Sequence, residues 1–184
     1  GDAGSAIGCA QYAFFVHQKQ KRIIEENHAT RIRQNVYLGP SFDEDSITKF
    51  LDAKKIKYEK LSTQSLLEKT AKKISDGNIV GWYQGKMEWG PRALGNRSIL
   101  ADPRNSTMKD ILNEKIKHRE SFRPFAPSVL EEFSSDYFEI DIPSPYMLMV
   151  AKVKQPEKIP AVTHIDGTAR LQTVSKESNP LYYE

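Results

Sequence analysis

The feature that most constrains the fold is a helix pattern that runs, through one glycine, straight into a strand pattern. Residues 63–76 place Leu66, Leu67, Ala71 and Ile74 on one helical face, start on Ser/Thr chemistry and end at Gly77. Ile79-Val80-Gly81-Trp82-Tyr83 follows at once and reads as a buried strand. An amphipathic helix delivering the chain to such a strand is α/β construction, which excludes an all-helical or all-strand domain.

The flanking sequence extends this reading. Upstream, residues 2–27 are predicted as one helix, with Ala3, Ala6, Ala10 and Ala13 allowing close packing and Ile7, Phe14 and Phe15 supplying bulk. Residues 28–36 read as a basic connector, Leu38-Gly39-Pro40 breaks the chain, and 43–54 is a short helix capped by Ser41 or Asp43. Strands are predicted at 56–61, 98–101, 125–130, 147–153 and 169–174. A helix capped by Ser106 runs to about Ile116, and proline-rich turns fall at 143–145 and 156–160. The expected class is α/β (mixed α+β): a twisted mixed sheet flanked by helices over 35–184, behind an N-terminal helical piece over 1–34. A chain of 184 residues suffices for one cored domain plus such an appendage.

Cys9 is the only cysteine, which rules out a disulfide framework within the chain and makes a cytoplasmic setting the simpler expectation. No run approaches the ~18 apolar residues of a membrane span, and no export signal is visible. The chain opens Gly-Asp-Ala-Gly rather than on Met, and is read as a piece of something longer.

Charge is uneven. Residues 86–123 hold nine Lys/Arg against five Asp/Glu in a chain of net charge +3, so this stretch alone carries a positive field suited to phosphates or carboxylates. Five of the nine are arginines, set among Gly, Pro, Asn and aromatics rather than at helical spacing.

Three clusters carry the chemistry. The first is Gly85-Lys-Met-Glu-Trp-Gly-Pro-Arg-Ala-Leu-Gly-Asn-Arg-Ser98. Its Gly90-to-Gly95 spacing imitates a phosphate loop, but Asn96-Arg97 replaces the Lys-Ser/Thr that such a loop needs, so a Walker motif is rejected. Arg92 and Arg97 remain as anion forks; Glu88 is an arginine orienter, a magnesium ligand or an ordinary ion-pair partner. The second cluster, Lys117-His-Arg119-Glu-Ser-Phe-Arg123-Pro-Phe125, suits a loop that fixes cations. The third is His164-Ile-Asp-Gly-Thr168-Ala-Arg170-Leu-Gln172-Thr173. Gly167 and Thr168 can offer an amide and a hydroxyl to an oxyanion, Arg170 and Gln172 alternate onto one strand face, and His164 with Asp166 reads better as a hydrogen-bonded turn than as a metal site. None of the clusters contains a nucleophile–base pair, which favours phosphoryl or nucleotidyl chemistry run by positioning and charge neutralisation.

The segments 85–104, 121–128 and 160–174, in that order, resemble the C-terminal region of the nodulation/antibiotic O-carbamoyltransferase family, and Gly1-Asp-Ala-Gly-Ser-Ala-Ile-Gly8 resembles the end of that family's N-terminal, actin-like-ATPase-fold transferase domain. The resemblance implies a YrdC-like domain that takes ATP, with Mg2+, and carbamoyl phosphate to carbamoyladenylate. The transferase domain then delivers the carbamoyl group to a hydroxyl of a sugar, nodulation factor or antibiotic-like acceptor. It assigns Lys117 and Arg119 to the family's Lys-x-Arg pair and Arg92, Arg97 and Arg123 to the anion pocket, with Glu88, Asn96, Ser98, His164 and Gln172 as further substrate or nucleotide contacts. Thr168 and Arg170 stand where YrdC-like domains carry Ser-x-Asn, a departure from the pattern. Asp2 matches the acidic ligand of an Fe2+ or other divalent site whose remaining ligands lie upstream of this sequence.

ATP and carbamoyl phosphate together bring roughly six negative charges, which several fixed cations must offset. An RNA-binding module is the non-enzymatic alternative, but a thin basic patch without interleaved exposed aromatics argues against nucleic acid. Threonylcarbamoyl-adenylate synthesis would share the nucleotide site without Gly-Pro-Arg-Ala-Leu-Gly, and a fragment that only docks the transferase domain is the third alternative. A homodimer is compatible with the sequence.

Overall fold

The structure, a computed structural model, describes residues 4–21 and 36–184. Asp2, most of the 28–36 connector and the predicted boundary between 34 and 35 lie outside the described residues.

The first helix is shorter than predicted. Helix α1 (Ser5–Gln11) widens into a π-helical turn at Tyr12–His17 and stops, Lys19 taking a left-handed φ of 53°. Helix α2 (Glu44–Ala53) is capped by Asp43, whose carboxylate accepts from the Ser46 amide at 2.8 Å. Helix α3 (Thr63–Ser75) is capped by Ser62 and released at Gly77, whose φ of 83° needs no Cβ. Residues 56–61 form no strand: Ile56 and Tyr58 are exposed, and no sheet edge lies alongside to take up their backbone groups.

Strands β1 (Val80–Tyr83) and β2 (Arg97–Leu100) pair antiparallel, Gly81 opposite Ile99, and bring the two ends of the glycine-rich loop together. Only Trp82 of β1 is buried. Helix α4 (Met108–Leu112) widens into a second π-helical turn, Asn113–Lys117; its start is organised by Asn105, which accepts from the amide and hydroxyl of Thr107, and not by Ser106.

The predicted strand at 125–130 reduces to β3 (Ser128–Leu130), since Pro124 and Pro127 lack the amides that a ladder needs. A 3-10 turn at Glu131–Phe133 leads into α5 (Ser134–Tyr137), and β4 (Val150–Lys152) shortens the predicted 147–153, Met147 having φ 54°. The predicted 169–174 strand breaks at Leu171 into β5 (Thr168–Arg170) and β6 (Gln172–Val174). The β5 strand pairs antiparallel with β4, Ala169 opposite Ala151; β6 pairs parallel with β3, Thr173 opposite Val129. The chain therefore changes sheets at Leu171, which is fully buried. Helix α6 (Pro180–Tyr183) closes the fold.

The class is mixed α/β as expected, and the pairing is mixed, but among the described residues the strands form three two-stranded ladders rather than one sheet. Phe138, Ala151, Val153, Ile159, Val162, Ala169 and Leu171 form the main core, Met108, Leu112 and Ala161 a second, and Phe125 packs against both. Burying such side chains is the main source of stability, about 25 cal/mol per Å² removed from water. Among the described residues no helix is long and apolar enough to cross a membrane.

Candidate functional site

The glycine-rich loop between β1 and β2 folds around Glu88. This carboxylate is buried, and its Oε1 accepts from the amides of Leu94, Asn96 and Arg97 at 2.8, 2.8 and 3.0 Å. Through Oε1, Glu88 is thus the loop's internal anchor.

Arg97 is also consumed internally. Its guanidinium donates to the carbonyls of Gln84, Asn96, Gly85 and Pro40 and lies 3.6 Å from the centre of the Tyr83 ring. The fork expected to hold an anion instead ties the loop's two ends to residue 40. Asn96 is buried, donating to Lys86 O at 2.7 Å, and Ser98 Oγ accepts from the Gly95 amide. Gln172, placed by β6, donates to Leu94 O at 3.0 Å and accepts from Ser128. The sheet change at Leu171 removes it from the face it was expected to share with Arg170.

Other arginines converge. Arg119, Arg123, His164, Thr168 and Arg170 line a pocket of about 360 Å³, with Phe125, Val150 and Val162 as apolar walls. Arg119 is aimed by Asn113, which accepts from its Nε at 2.7 Å, and by the Phe125 ring 4.7 Å away. Asn113 also donates to the carbonyls of Ser121 and Arg123, holding the whole turn. Arg123 pairs with Glu120 at 2.8 Å, an exposed contact in which a ligand anion can replace the carboxylate.

Arg170 is incompletely satisfied. Its Nε is buried and has no hydrogen-bond partner among the described residues. Burial lowers its affinity for the proton from the ordinary guanidinium value, and the nearby charge of Arg92 adds to this. Arg92 is exposed on the loop. Arg119, Arg123 and Arg170 on one pocket, the last with an unpaired buried N–H, form an arrangement that an anion relieves.

Asp166 is spent on a turn. Its Oδ1 accepts from the Thr168 amide and hydroxyl, at 3.0 and 2.7 Å, and stands 3.0 Å from His164 Nδ1. These bonds, the Thr168 hydroxyl foremost and His164 next, bring the carboxyl down to about 2. The His–Asp turn is as read, and the Thr168 donors expected to face an oxyanion face Asp166 instead.

Lys117 ends the second π-helical turn, and His118 follows with φ 47°. The left-handed residue separates its neighbours: Arg119 lines the arginine pocket, while Lys117 lines a larger cavity of about 500 Å³ with Trp82, Ser98, Asp102 and Tyr182. The cavities adjoin at Phe125, Ala126 and Val162. Among the described residues no three His, Cys, Asp or Glu side chains gather as a metal-binding group. Near the arginines the carboxylates are Glu120, paired with Arg123, and Asp166, held in its turn. Asp2 is outside the described residues.

Residues 71–184 match the family described as Carbamoyltransferase C-terminus. The chain belongs to this family. It is 42% identical over its whole length to nodulation protein NolO of Bradyrhizobium diazoefficiens and to nodulation protein NolNO of Sinorhizobium fredii, covering 33% and 27% of them. Over 58% of its length it is 47% identical to the 3'-hydroxymethylcephem-O-carbamoyltransferase of Amycolatopsis lactamdurans, covering 20% of that enzyme. The chain thus spans a third or less of these relatives. The family's matched region holds the loop, the arginine pocket and all of the larger cavity's lining except Leu67 and Thr70.

Sequence reading missed Asn113, Gln84, Tyr37 and Asn179. Each is a neutral side chain whose partners lie on other elements. Only Asn113 carried a local signal, a polar residue four places before Lys117 on what was predicted as an ordinary helix.

Proposed function

We propose that this chain is the carbamoyl-activating part of an ATP-dependent O-carbamoyltransferase, binding carbamoyl phosphate and ATP and forming carbamoyladenylate. The observation that carries it is the convergence of Arg119, Arg123 and Arg170 on one pocket, with a buried Arg170 Nε lacking a partner. Family membership supplies the group transferred. The fold of the activating region is proposed to be YrdC-like, beginning near residue 35 behind the tail of the transferase domain.

Stoichiometry constrains the chemistry. Releasing both phosphate and pyrophosphate consumes one water: hydrolysis of carbamoyl phosphate gives carbamate and phosphate. A carbamate oxygen then attacks the α-phosphorus, and the bond to the bridging oxygen of pyrophosphate breaks. The arginines hold the anions together and neutralise charge on the equatorial oxygens. Magnesium enters with the nucleotide's own phosphates, with no ligand set assigned to this chain. Lys117, in the adjoining cavity, is placed to hold a second part of the same substrate pair. Transfer to a hydroxyl acceptor, in the manner of the hydroxymethyl-specific name of the Amycolatopsis relative, belongs to sequence outside this chain; so does the metal assigned to Asp2.

The test is carbamoyl-phosphate-dependent ATP–pyrophosphate exchange on the 184-residue chain. Exchange is expected, and Arg170→Gln or Arg123→Gln should lower it about 100-fold, the usual cost of removing one charge-stabilising donor. Exchange requiring threonine and bicarbonate would move the assignment to threonylcarbamoyl-adenylate synthesis. Salt-sensitive RNA binding without exchange would replace the enzyme reading.

A further inference from the structure

The chain's last residues fold onto the glycine-rich loop. Asn179 is buried; its Nδ2 donates to Asn96 Oδ1 at 2.8 Å and to the Tyr37 hydroxyl at 3.1 Å, while its Oδ1 accepts from Gln84 Nε2 at 2.9 Å. Gln84 lies at the end of β1, Asn96 just before β2, and Tyr37 in the segment ahead of α2. The Tyr37 hydroxyl in turn donates to Leu94 O at 2.8 Å. One amide group therefore ties both ends of the loop to the segment ahead of α2.

Tyr182, one turn further on, covers Gly95. A Cβ at position 95 would come within 2.4 Å of the Tyr182 ring, and Gly95 has φ 103°. The Tyr182 hydroxyl donates to Ser128 Oγ at 2.9 Å, and Ser128 donates to Gln172, which holds Leu94 O. Two chains of hydrogen bonds, one from Asn179 and one from Tyr182, thus end on the same backbone, residues 94–96. That backbone follows directly after Arg92.

We propose that Asn179 and Tyr182 form a C-terminal latch on the 84–97 loop and act as positioning residues for Arg92, the exposed guanidinium which that loop carries. The latch touches no anion; it fixes the backbone from which Arg92 projects. A buried polar network of this kind holds one conformation only while every member is satisfied, so losing one member frees the loop. The role assigned to Arg92 rests on the anion-site reading above, whereas the latch itself does not.

The experiment has one arm without ligand and one with inorganic pyrophosphate, both on the full 184-residue chain. Without ligand, hydrogen exchange at the amides of Leu94, Asn96 and Arg97 should accelerate at least tenfold in Asn179→Ala, while amides around Leu171 keep their wild-type rates. Asn179→Asp, which keeps the acceptor for Gln84 and loses the donors, should fall between, and serves if the alanine variant fails to fold. Tyr182→Phe, which keeps the ring over Gly95 but loses the hydroxyl's bond to Ser128, should also fall between. Unchanged loop exchange in both Asn179 variants would overturn the latch.

With pyrophosphate, Asn179→Ala and Arg92→Ala should each weaken binding roughly tenfold, the scale of one or two lost hydrogen bonds. The double variant should be no weaker than the poorer single one, because both changes remove the same contact. Multiplying effects would show that Asn179 does not act through Arg92 and overturn the positioning role. A wild-type chain that binds no pyrophosphate would defeat the anion-site reading and the role of Arg92 with it; the exchange arm would still decide the latch.

Discussion

Glu88 shows how far a single residue can depart from the role its neighbours imply. Set among arginines, it reads as an ion-pair partner, yet its Oε1 collects three backbone amides from residues 94, 96 and 97. Removing it strands three N–H groups at least partly out of water, and each orphaned buried donor costs about 1–3 kcal/mol. Glu88→Ala should therefore destabilise the chain by about 3 kcal/mol. Glu88→Gln, which keeps a neutral acceptor, should cost about half as much. Urea unfolding midpoints check both, and equal losses would show that the oxygen's hydrogen bonds are not what matters. The contrast between Arg97 and Arg170 has the same root. Guanidiniums in irregular sequence are legible as anion ligands, because nothing local satisfies them. Which ones stay free depends on distant carbonyls: Arg97 finds Pro40, 57 residues away, and Arg170 finds nothing for its Nε.

At the scale of elements, whatever is written in adjacent residues was legible. Asp43 and Ser62 cap their helices, Gly77 ends one, and the Asp166-Gly-Thr168 turn forms with His164 on its carboxylate. Strands were legible only as regions, because their lengths are set by partners elsewhere; 169–174 looks continuous, and only competition between β4 and β3 for its edges breaks it at Leu171. The turn carries a pH dependence of definite sign. Its carboxyl sits at about 2 rather than 3.8, so the charged form is the one the fold prefers. The turn's contribution is complete above pH 3.8 and is lost as pH falls from there through about 2. Thr168→Val removes the hydroxyl, the largest cause, while leaving the amide, and the Asp166 midpoint should move up toward 3.8. A carboxyl-carbon NMR titration reads this directly; an unmoved midpoint would mean that His164 and the amide suffice.

For the whole molecule, the sequence indicated class and order but not closure. Pairings such as Ser128 with Gln172 span more than 40 residues, and no local pattern encodes them in strands of three or four residues. Motif order carried the family resemblance; which arginines share a pocket needed the fold. Where the stable body begins is a question of the same kind. Among the described residues every buried side chain lies at Trp82 or beyond, and the π-helical turn after α1 exposes Tyr12, Phe14 and Val16. A helix this short contributes little stability by itself. By contrast, residues 36–40 are stitched to the loop: Gly39 N donates to Met87 O, Met87 N to Pro40 O and Trp89 N to Val36 O, with Tyr37 and Arg97 adding side-chain bonds. A chain beginning at Val36 should consequently melt within a few degrees of the full chain. One beginning at Glu44 loses the Tyr37 link to Asn179, the Pro40 link to Arg97 and the paired backbone, together about 3 kcal/mol if each hydrogen bond contributes under 1. For a domain of this size that corresponds to a melting temperature roughly 10 °C lower. Both are read by thermal unfolding, and the ordering decides the matter. If the two truncations melt together, residues 36–43 are ornament on the loop; if the first already falls as far as the second, the stable body starts upstream of residue 36.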